Sequence, residues 1–208
     1  MPVLDHLLWG ADDLDQGITE LERLTGIRPT KAGRHPGYGT WNALASLGPG
    51  VYIEVIAPDP EQPGAESGRL SQIRSLKAPG LMTFAMRSGD LEALGARARA
   101  AGFQAGAVID RSRRTPDGGM VRWRSLFIEG HPFGRWLPFG IDWMDTPHPS
   151  THMPGGATLL SFSLSHPDAE ALTAANRALG FELPAVQRGP AGFRATIATP
   201  KGTVELVG

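Results

Sequence analysis

The chain has 208 residues, of which 41% are hydrophobic and 20% are charged, a balance typical of a globular protein with a sizeable core. Its formal net charge of -1 gives no overall attraction to nucleic acid or an anionic membrane, and the lack of cysteine excludes disulfides, thiolate metal ligands and a cysteine nucleophile. The first residues do not resemble a signal peptide and no apolar run has the length of a membrane span, so we expect a cytoplasmic protein.

Three segments of the chain share a pattern: an apolar strand, a turn with an acidic residue, and an amphipathic helix. The segments begin at Leu4, Leu81 and Leu159. The aligned acidic residues are Asp13, Asp90 and Asp168. These positions are predicted helix starts, because unpaired amides and the positive end of the helix dipole stabilise a carboxylate there. Glycines at 26, 102 and 180 are typical of helix ends.

Strands are predicted after each helix, so that each segment is a β-α-β-β-β unit. The clearest strands cover residues 40–47 and 51–56, 121–128 and 136–144, and 193–199 and 203–207. We therefore expect a domain over residues 1–145, made of one unit at 1–60 and another at 80–145, joined by a short helix within 66–77. A linker rich in proline and glycine leads to a third, shorter unit at 157–208.

Repeated units of this kind, with a histidine in the first strand and a glutamate in the last, resemble the vicinal oxygen chelate superfamily. Its members include lactoylglutathione lyase, extradiol dioxygenases, epimerases and bleomycin-resistance proteins. More narrowly, the stretches LDHLLW, Arg34–Pro60 and LPFGIDW resemble the glyoxalase-like domain family. The resemblance implies an α+β fold whose units form curved mixed sheets, a partial barrel around a pocket, with the helices on the outer face.

His6 and Glu54 are the principal candidates for that pocket. Strand alternation places His6 on one face of its strand and Asp5 on the other, and Glu54 faces the same pocket if its neighbours pack on the first helix. A histidine and a glutamate suit Zn²⁺, Ni²⁺, Mn²⁺ or Fe²⁺. A lone buried histidine is more often structural, whereas an unpaired buried carboxylate is costly.

The second unit supplies the remaining positions of the family's metal site. Thr83 aligns with His6, and Asp142 aligns with Glu54. The resemblance therefore implies a divalent metal held by His6, Glu54 and Asp142, with the Thr83 hydroxyl as a poor fourth ligand. A three-ligand site completed by water and a pocket without metal both remain open. The third unit has Ser161 and Glu205 at the corresponding positions.

A pair of alternating arginines in the second unit suggests a substrate contact. Arg122 and Arg124 flank Trp123 in one predicted strand. Either the arginines face solvent and Trp123 lies in the core, or they clamp a carboxylate or phosphate of a small-molecule ligand. The predicted substrate-binding residues are Asn42, Trp41, Arg122, Arg124 and Thr83. His35 and His131 are interpreted as loop residues that could reach the pocket mouth, and His148 and His152 as incidental linker residues.

Two functions remain open. In the first, a metal-dependent lyase, isomerase or dioxygenase uses the metal as a Lewis acid, and Glu54 or Asp142 is the catalytic base. In the second, a metal-free pocket binds or sequesters a small molecule, and Glu54 accepts a hydrogen bond. The third unit ends with an unpaired strand edge, which predicts a homodimer; the alternative is that this unit folds back on the first two.

Overall fold

A computed structural model describes residues 1–115 and 117–208. The first unit consists of β1 (Val3–Gly10), α1 (Leu14–Thr25), β2 (Thr30–His35), β3 (Thr40–Ser46) and β4 (Tyr52–Pro58). The linking helix α2 is Gly68–Arg74. The second unit consists of β5 (Gly80–Arg87), α3 (Leu91–Ala100), β6 (Gln104–Ala105), β7 (Ile109–Arg114), β8 (Met120–Leu126), β9 (Ile128–Glu129), the 3₁₀ turn Gly134–Trp136 and β10 (Phe139–Asp142). After the 3₁₀ turn Pro149–Thr151, the third unit consists of β11 (Thr158–His166), α4 (Ala169–Ala178), β12 (Gln187–Arg188), β13 (Gly192–Thr199) and β14 (Gly202–Val207).

The predicted helix starts at Asp13 and Asp90 are confirmed with their capping contacts; Asp168 also directly precedes its helix, but its side chain makes no capping hydrogen bond. The Asp13 carboxylate accepts a hydrogen bond from the Gln16 amide at 2.9 Å, and the Asp90 carboxylate accepts one from the Ala93 amide at 2.8 Å. Gly26 ends α1 with a φ of 76°, a conformation in which a side chain is strained. Local hydrogen bonding thus sets the bounds of α1 and α3, as the sequence indicates.

The first two units form a single eight-stranded sheet in the order β2-β3-β4-β1-β5-β10-β8-β7. In each unit the first strand pairs in parallel with the last one, and β1 and β5 pair antiparallel at the centre. The two units are therefore related by an approximate twofold. This arrangement confirms the α+β fold with repeated units and a curved mixed sheet.

The sheet nearly closes into a barrel where its edge strands β2 and β7 meet. The Arg113 guanidinium of β7 donates a hydrogen bond to the Ala32 carbonyl of β2. Gly33 adopts a φ of 149°, and a Cβ at this position would lie 2.8 Å from the Arg114 carbonyl oxygen. A side-chain hydrogen bond and a glycine thus bring the two edges together and enclose the concave face of the sheet.

A bulge in β1 changes the predicted alternation of its side chains. Leu4 pairs with Met86 and His6 pairs with Ala85, so Asp5 is an extra residue on β1. The Asp5 carboxylate reaches the ring of His6, with 2.6 Å between Oδ1 and Nδ1. The prediction that these two side chains lie on opposite faces is wrong, because strict alternation does not hold through a bulge.

The third unit has the predicted succession of elements but a different sheet. Its strand order is β12-β11-β13-β14, so β11 pairs with β13 and not with the last strand. Ser161 lies opposite Thr196, while the Glu205 carboxylate binds the exposed Arg194. Ser161 and Glu205 therefore do not form a second copy of the His6–Glu54 pair.

The third unit packs on the convex face of the large sheet. Phe84 of β5 contacts Phe162 and Phe193, with ring centroids 5.0 and 6.2 Å apart. Lys201 donates to the Arg23 carbonyl at the end of α1 at 2.9 Å, and Arg97 of α3 donates to the Leu179 carbonyl after α4 at 2.9 Å. The first two units therefore cover much of the apolar surface of the third unit.

Buried side chains from all three units form one continuous hydrophobic cluster. The division into parts at 1–145 and 157–208 and the homodimer both stay predictions. None of the helices described for this chain is long and apolar enough to cross a membrane.

Candidate functional site

The concave face of the large sheet encloses a cavity of about 100 Å³, which we call the inner cavity. Both units contribute to its lining. Its charged and amide side chains are His6, His35, Asn42, Glu54, Arg69, Arg111 and Arg113. The cavity therefore joins the predicted His6–Glu54 pair to three arginines that the sequence did not assign to the site; from the sequence alone, the run RSRR at 111–114 is interpreted as a solvated loop.

His6 lies between two carboxylates. Its Nδ1 is 2.6 Å from Oδ1 of Asp5, and its Nε2 is 3.4 Å from Oε2 of Glu54. The ring stacks on Tyr52 with centroids 4.4 Å apart. Burial alone would lower the pKa of His6, but the hydrogen bonds and negative charges of Asp5 and Glu54 raise it above 6.5. The imidazolium form is thus favoured.

Asp5 is fully buried and has a complete set of donors. Trp143 donates its indole N–H to the carboxylate, and Nε2 of His148 lies 3.0 Å from Oδ2. The amide of Ser150 donates to Nδ1 of His148, which leaves Nε2–H to point at Asp5. Burial alone would raise the pKa of Asp5, but the hydrogen bonds from His148 and His6 lower it to about 2. The linker histidine, interpreted as incidental, is therefore part of this network.

Glu54 is held on the other side by Asn42. The Asn42 amide donates to Oε1 of Glu54 at 2.7 Å. Burial alone would raise the pKa of Glu54, but the hydrogen bond and charge of His6 lower it to about 2. Glu54 is consequently an ionised carboxylate at neutral pH, facing the inner cavity.

Asn42 also contacts His35. Its amide nitrogen lies 3.3 Å from Nε2 of His35, and Nδ1 of that ring lies 2.9 Å from the Thr40 hydroxyl. Burial lowers the pKa of His35 to about 4, so the neutral ring accepts at Nε2. Both amide hydrogens of Asn42 are then used, and its Oδ1 is buried with no hydrogen-bond partner among the described residues.

Three arginines give the inner cavity an excess of positive charge. Burial lowers the pKa of Arg69 to about 10 and also lowers the pKa values of Arg111 and Arg113. All three remain protonated at neutral pH. They outnumber the Glu54 carboxylate that lines the same cavity. Within the described part of the chain, Nε of Arg111 is buried without a partner.

The predicted position of Asp142 is wrong. Its neighbours Ile141 and Trp143 line the inner cavity, whereas its own carboxylate binds Arg124 on the opposite face and accepts from the Met144 amide at 2.9 Å. Sheet register explains the error: the residue equivalent to Glu54 lies three positions earlier, at 139, and a shift by an odd number of residues moves a side chain to the other face.

The residue that takes the place of Glu54 in the second unit is Phe139. Glu54 pairs with Leu8, and Phe139 pairs with Ala85, which is the position aligned with Leu8. The two halves of the site are therefore chemically different. The first unit has a carboxylate at this position, and the second unit has an aromatic ring at the equivalent position.

Three other predicted substrate contacts, at Arg122, Arg124 and Trp41, lie outside the inner cavity. Arg122 is exposed and Arg124 binds Asp142, while Trp123 between them lines the inner cavity. The predicted arginine clamp at 122 and 124 is thus wrong, and the alternative with Trp123 inside holds. Trp41 lies under the ammonium of Lys31, 4.8 Å from its ring centroid, outside the cavity.

Thr83 lies beside the inner cavity and not in it. Its hydroxyl donates to the Arg135 carbonyl at 2.9 Å, and it lines a neighbouring chamber. Of the predicted substrate-binding residues, only Asn42 lines the inner cavity. Whether it contacts a ligand stays a prediction.

The donor set does not fit the metal site implied by the resemblance. Only His6 and Glu54 of the expected ligands converge, because Thr83 and Asp142 have other partners. The described residues contain no group of three or more histidine, cysteine, aspartate or glutamate side chains arranged to hold a metal ion.

A curved sheet built from two twofold-related β-α-β-β-β units around a cavity defines a protein of the vicinal oxygen chelate class. A family model for the glyoxalase-like domain matches residues 4–180, and the chain belongs to this family.

Solved structures support the same fold. A hypothetical protein from Staphylococcus aureus is 16% identical, with a TM-score of 0.71 over 99% of this chain and 84% of that one. Methylmalonyl-CoA epimerase from Mycobacterium tuberculosis is 25% identical, with a TM-score of 0.50 over 68% of this chain and 87% of that one. A search of curated protein sequences gives no match.

Proposed function

We propose that the protein binds a small carboxylate-bearing molecule in the inner cavity and moves a proton on it, with Glu54 as the base. The observation that carries this proposal is the presence of one ionised carboxylate, the buried guanidinium group of Arg113 and the half-buried ones of Arg69 and Arg111 in the same cavity. Membership of a family of small-molecule enzymes and the likeness to an epimerase support an isomerase-type reaction.

The arginines supply the affinity. Buried charge is costly when it is unpaired, and burial already depresses the pKa values of Arg69, Arg111 and Arg113. An anion in the cavity offsets this cost, and guanidinium groups bind carboxylates through directed hydrogen bonds. The free Nε–H of Arg111 is one such donor.

Glu54 supplies the base. A bound anion raises the pKa of a neighbouring carboxylate, so ligand binding makes Glu54 more basic than its value of about 2 indicates. The base takes a proton from the carbon next to the ligand carboxylate, and the resulting enediolate is stabilised by the guanidinium groups. The proton returns from Glu54 to that carbon. His6 orients Glu54 and holds a positive charge beside it.

Asn42 supplies selectivity. A buried acceptor without a partner costs about 1–3 kcal/mol. A hydroxyl or amino group on the ligand can donate to Oδ1 of Asn42 and remove that cost. We therefore propose that 2-hydroxy or 2-amino carboxylates bind more tightly than unsubstituted ones. The donor set does not fit a metal ion, so the proposed step uses none.

A second candidate function is binding without chemistry, as in sequestration. The pKa of Glu54, lowered to about 2 in the free protein, favours it, since a weakly basic carboxylate is a good hydrogen-bond acceptor and a poor base.

The binding step is tested by titration calorimetry with lactate, alanine and propanoate. The affinity of each acid is compared with that of the corresponding carboxamide. The carboxylates should bind at least tenfold more tightly than the amides, and Arg111→Gln should remove the difference. Equal binding of acids and amides contradicts the proposal.

Proton NMR in deuterated buffer tests the chemical step. Bound carboxylates should lose the signal of the hydrogen on the carbon next to the carboxylate, and Glu54→Gln should bind them without exchange. Binding without exchange in the wild type favours the second candidate. Both assays are run with a chelator and with added Mn²⁺, Ni²⁺ or Zn²⁺; activity that appears only with a metal would overturn the metal-free mechanism.

A further inference from the structure

A second chamber of about 330 Å³ adjoins the inner cavity, and we call it the outer chamber. It lies between α2 and the segment 127–139. Four side chains line both spaces: Tyr38, Arg69, Phe127 and Phe139. The two spaces are therefore separated by side chains that belong to both.

The partition is a stack of aromatic rings and guanidinium groups. Arg111 lies over Tyr38, 3.9 Å from its ring centroid, and 5.5 Å from that of Phe127. Phe127 stacks on Phe139 with centroids 5.3 Å apart, and the Arg69 guanidinium lies 5.2 Å from the Phe139 ring centroid. These residues come from separate parts of the chain, so the stack is made entirely of side-chain contacts.

Such a partition can open without breaking strand pairing. Side chains change rotamer far faster than sheets rearrange. Arg69 sits on the short helix α2, and its guanidinium donates to the Gln72 side chain at 2.7 Å. A rotation of Arg69 away from Phe139 would remove one of the four side chains that separate the inner cavity from the outer chamber.

The outer chamber differs from the inner cavity in its chemistry. Leu137 and Pro138 give it an apolar wall, and Gln72, Glu129 and Arg135 give it polar groups. The Arg135 guanidinium is already engaged by the Leu81 and Met82 carbonyls, at 3.2 and 3.3 Å. The outer chamber therefore suits a ligand segment of mixed polarity. The excess of positive charge is confined to the inner cavity.

The sizes of the two spaces set the length of the ligand. At about 30 Å³ for each water-sized group, the inner cavity of about 100 Å³ has room for a carboxylate and a few more atoms. The outer chamber is about three times larger. We infer that the natural ligand is an elongated carboxylate whose head occupies the inner cavity and whose tail passes Arg69 and Phe139 into the outer chamber. The identity of the head rests on the proposed function.

A chain-length series tests this inference. Affinities of propanoate, hexanoate and octanoate are measured by titration calorimetry, with octanol as the neutral partner of octanoate. Each methylene that becomes buried improves affinity by up to about fourfold. We expect octanoate to bind at least tenfold more tightly than propanoate.

Two glycines near α2 provide a matched pair of variants. Gly68 lines the outer chamber, Gly64 lines neither space, and among the described residues a Cβ at either position meets nothing within 4 Å. Gly68→Trp should fill the outer chamber and reduce the octanoate-to-propanoate affinity ratio to about threefold or less. Gly64→Trp should leave that ratio unchanged, and Gly68→Leu is a smaller filler if the tryptophan variant does not fold.

The outcomes separate this inference from the proposed function. An affinity independent of chain length, or a ratio unaffected by Gly68→Trp, overturns the tail in the outer chamber and leaves the anionic head intact. Octanol that binds as tightly as octanoate overturns the anionic head and leaves the chamber intact. If no member of the series binds, both are overturned.

Discussion

Replacing Asp5 by asparagine tests the buried network beneath the inner cavity. The pKa of Asp5 falls from 3.8 to about 2 in the folded protein, and at about 1.36 kcal/mol per pH unit this is about 2 kcal/mol of stability. Asparagine has one acceptor oxygen, so its amide group also faces a donor from Trp143 or His148, at a further cost of about 1–3 kcal/mol. We expect Asp5→Asn to lose about 3–5 kcal/mol at pH 5.5.

The two ionisable groups give this loss a defined pH dependence. Asp5 has a lowered pKa, so its contribution is present above 3.8 and disappears as the pH falls towards about 2. His6 has a raised pKa, so its contribution is present below 6.5 and disappears as the pH rises through its folded value. Asp5→Asn removes the first contribution and weakens the second, because Asp5 is the larger of the two carboxylate influences that raise the pKa of His6. The difference between wild type and variant should therefore be largest between about pH 4 and pH 6.5.

Urea unfolding followed by tryptophan fluorescence measures this difference, because Trp143 contacts Asp5 directly. The exposed Asp12→Asn is the matched control and should change the unfolding free energy by less than about 0.5 kcal/mol. An Asp5→Asn variant that behaves like the control, or a loss that grows steadily from pH 4 to pH 8, would refute the reasoning.

The remaining predictions concern other parts of the molecule. Asp142→Ala should leave carboxylate affinity within about twofold, since this side chain lies outside the inner cavity; a tenfold loss in calorimetry contradicts that placement. Phe84→Ala should lower the unfolding free energy by about 3–5 kcal/mol, because the ring is fully buried against the third unit; a loss under 1 kcal/mol in urea unfolding argues against that packing. Gly33→Ala should cost about 1–3 kcal/mol through backbone strain at the sheet edge, with Gly89→Ala as the neutral control in thermal unfolding. The homodimer predicts a mass near twice 22.2 kDa in light scattering at micromolar concentration, and a monomer mass rules it out.

The sequence was sufficient for the repeated architecture, because the signals are local. A helix-capping carboxylate or a helix-ending glycine acts within one turn of chain, so Asp13, Asp90 and Gly26 mark the helices without knowledge of the tertiary structure. His6 and Glu54 were found because the alternation is regular from His6 onward in β1, after the bulge, and along β4. Their meeting follows from the parallel pairing of β1 and β4.

The missed residues depend on features that alternation does not encode. Asp5 turns towards His6 through a bulge, and Asp142 faces away from the inner cavity because its strand is shifted by three residues from the predicted register. Arg111 and Arg113 had a detectable signal, since they alternate within the run RSRR, which the structure places in the strand Ile109–Arg114. The strand order of the third unit could not be predicted from the sequence, because the same succession of strands and helix is compatible with two different strand orders.

The meeting of β2 and β7 has a consequence for how the protein behaves when it is concentrated. The unpaired backbone amides and carbonyls of an edge strand can pair with a strand of another molecule. Proteins that do not aggregate have edge strands that are covered or otherwise protected from such pairing. Here each edge of the large sheet is covered by the other, through Arg113 and the close approach at Gly33. A mutation or a large ligand that separates β2 from β7 would expose two unpaired strand edges at once. A local opening of the barrel would then promote aggregation.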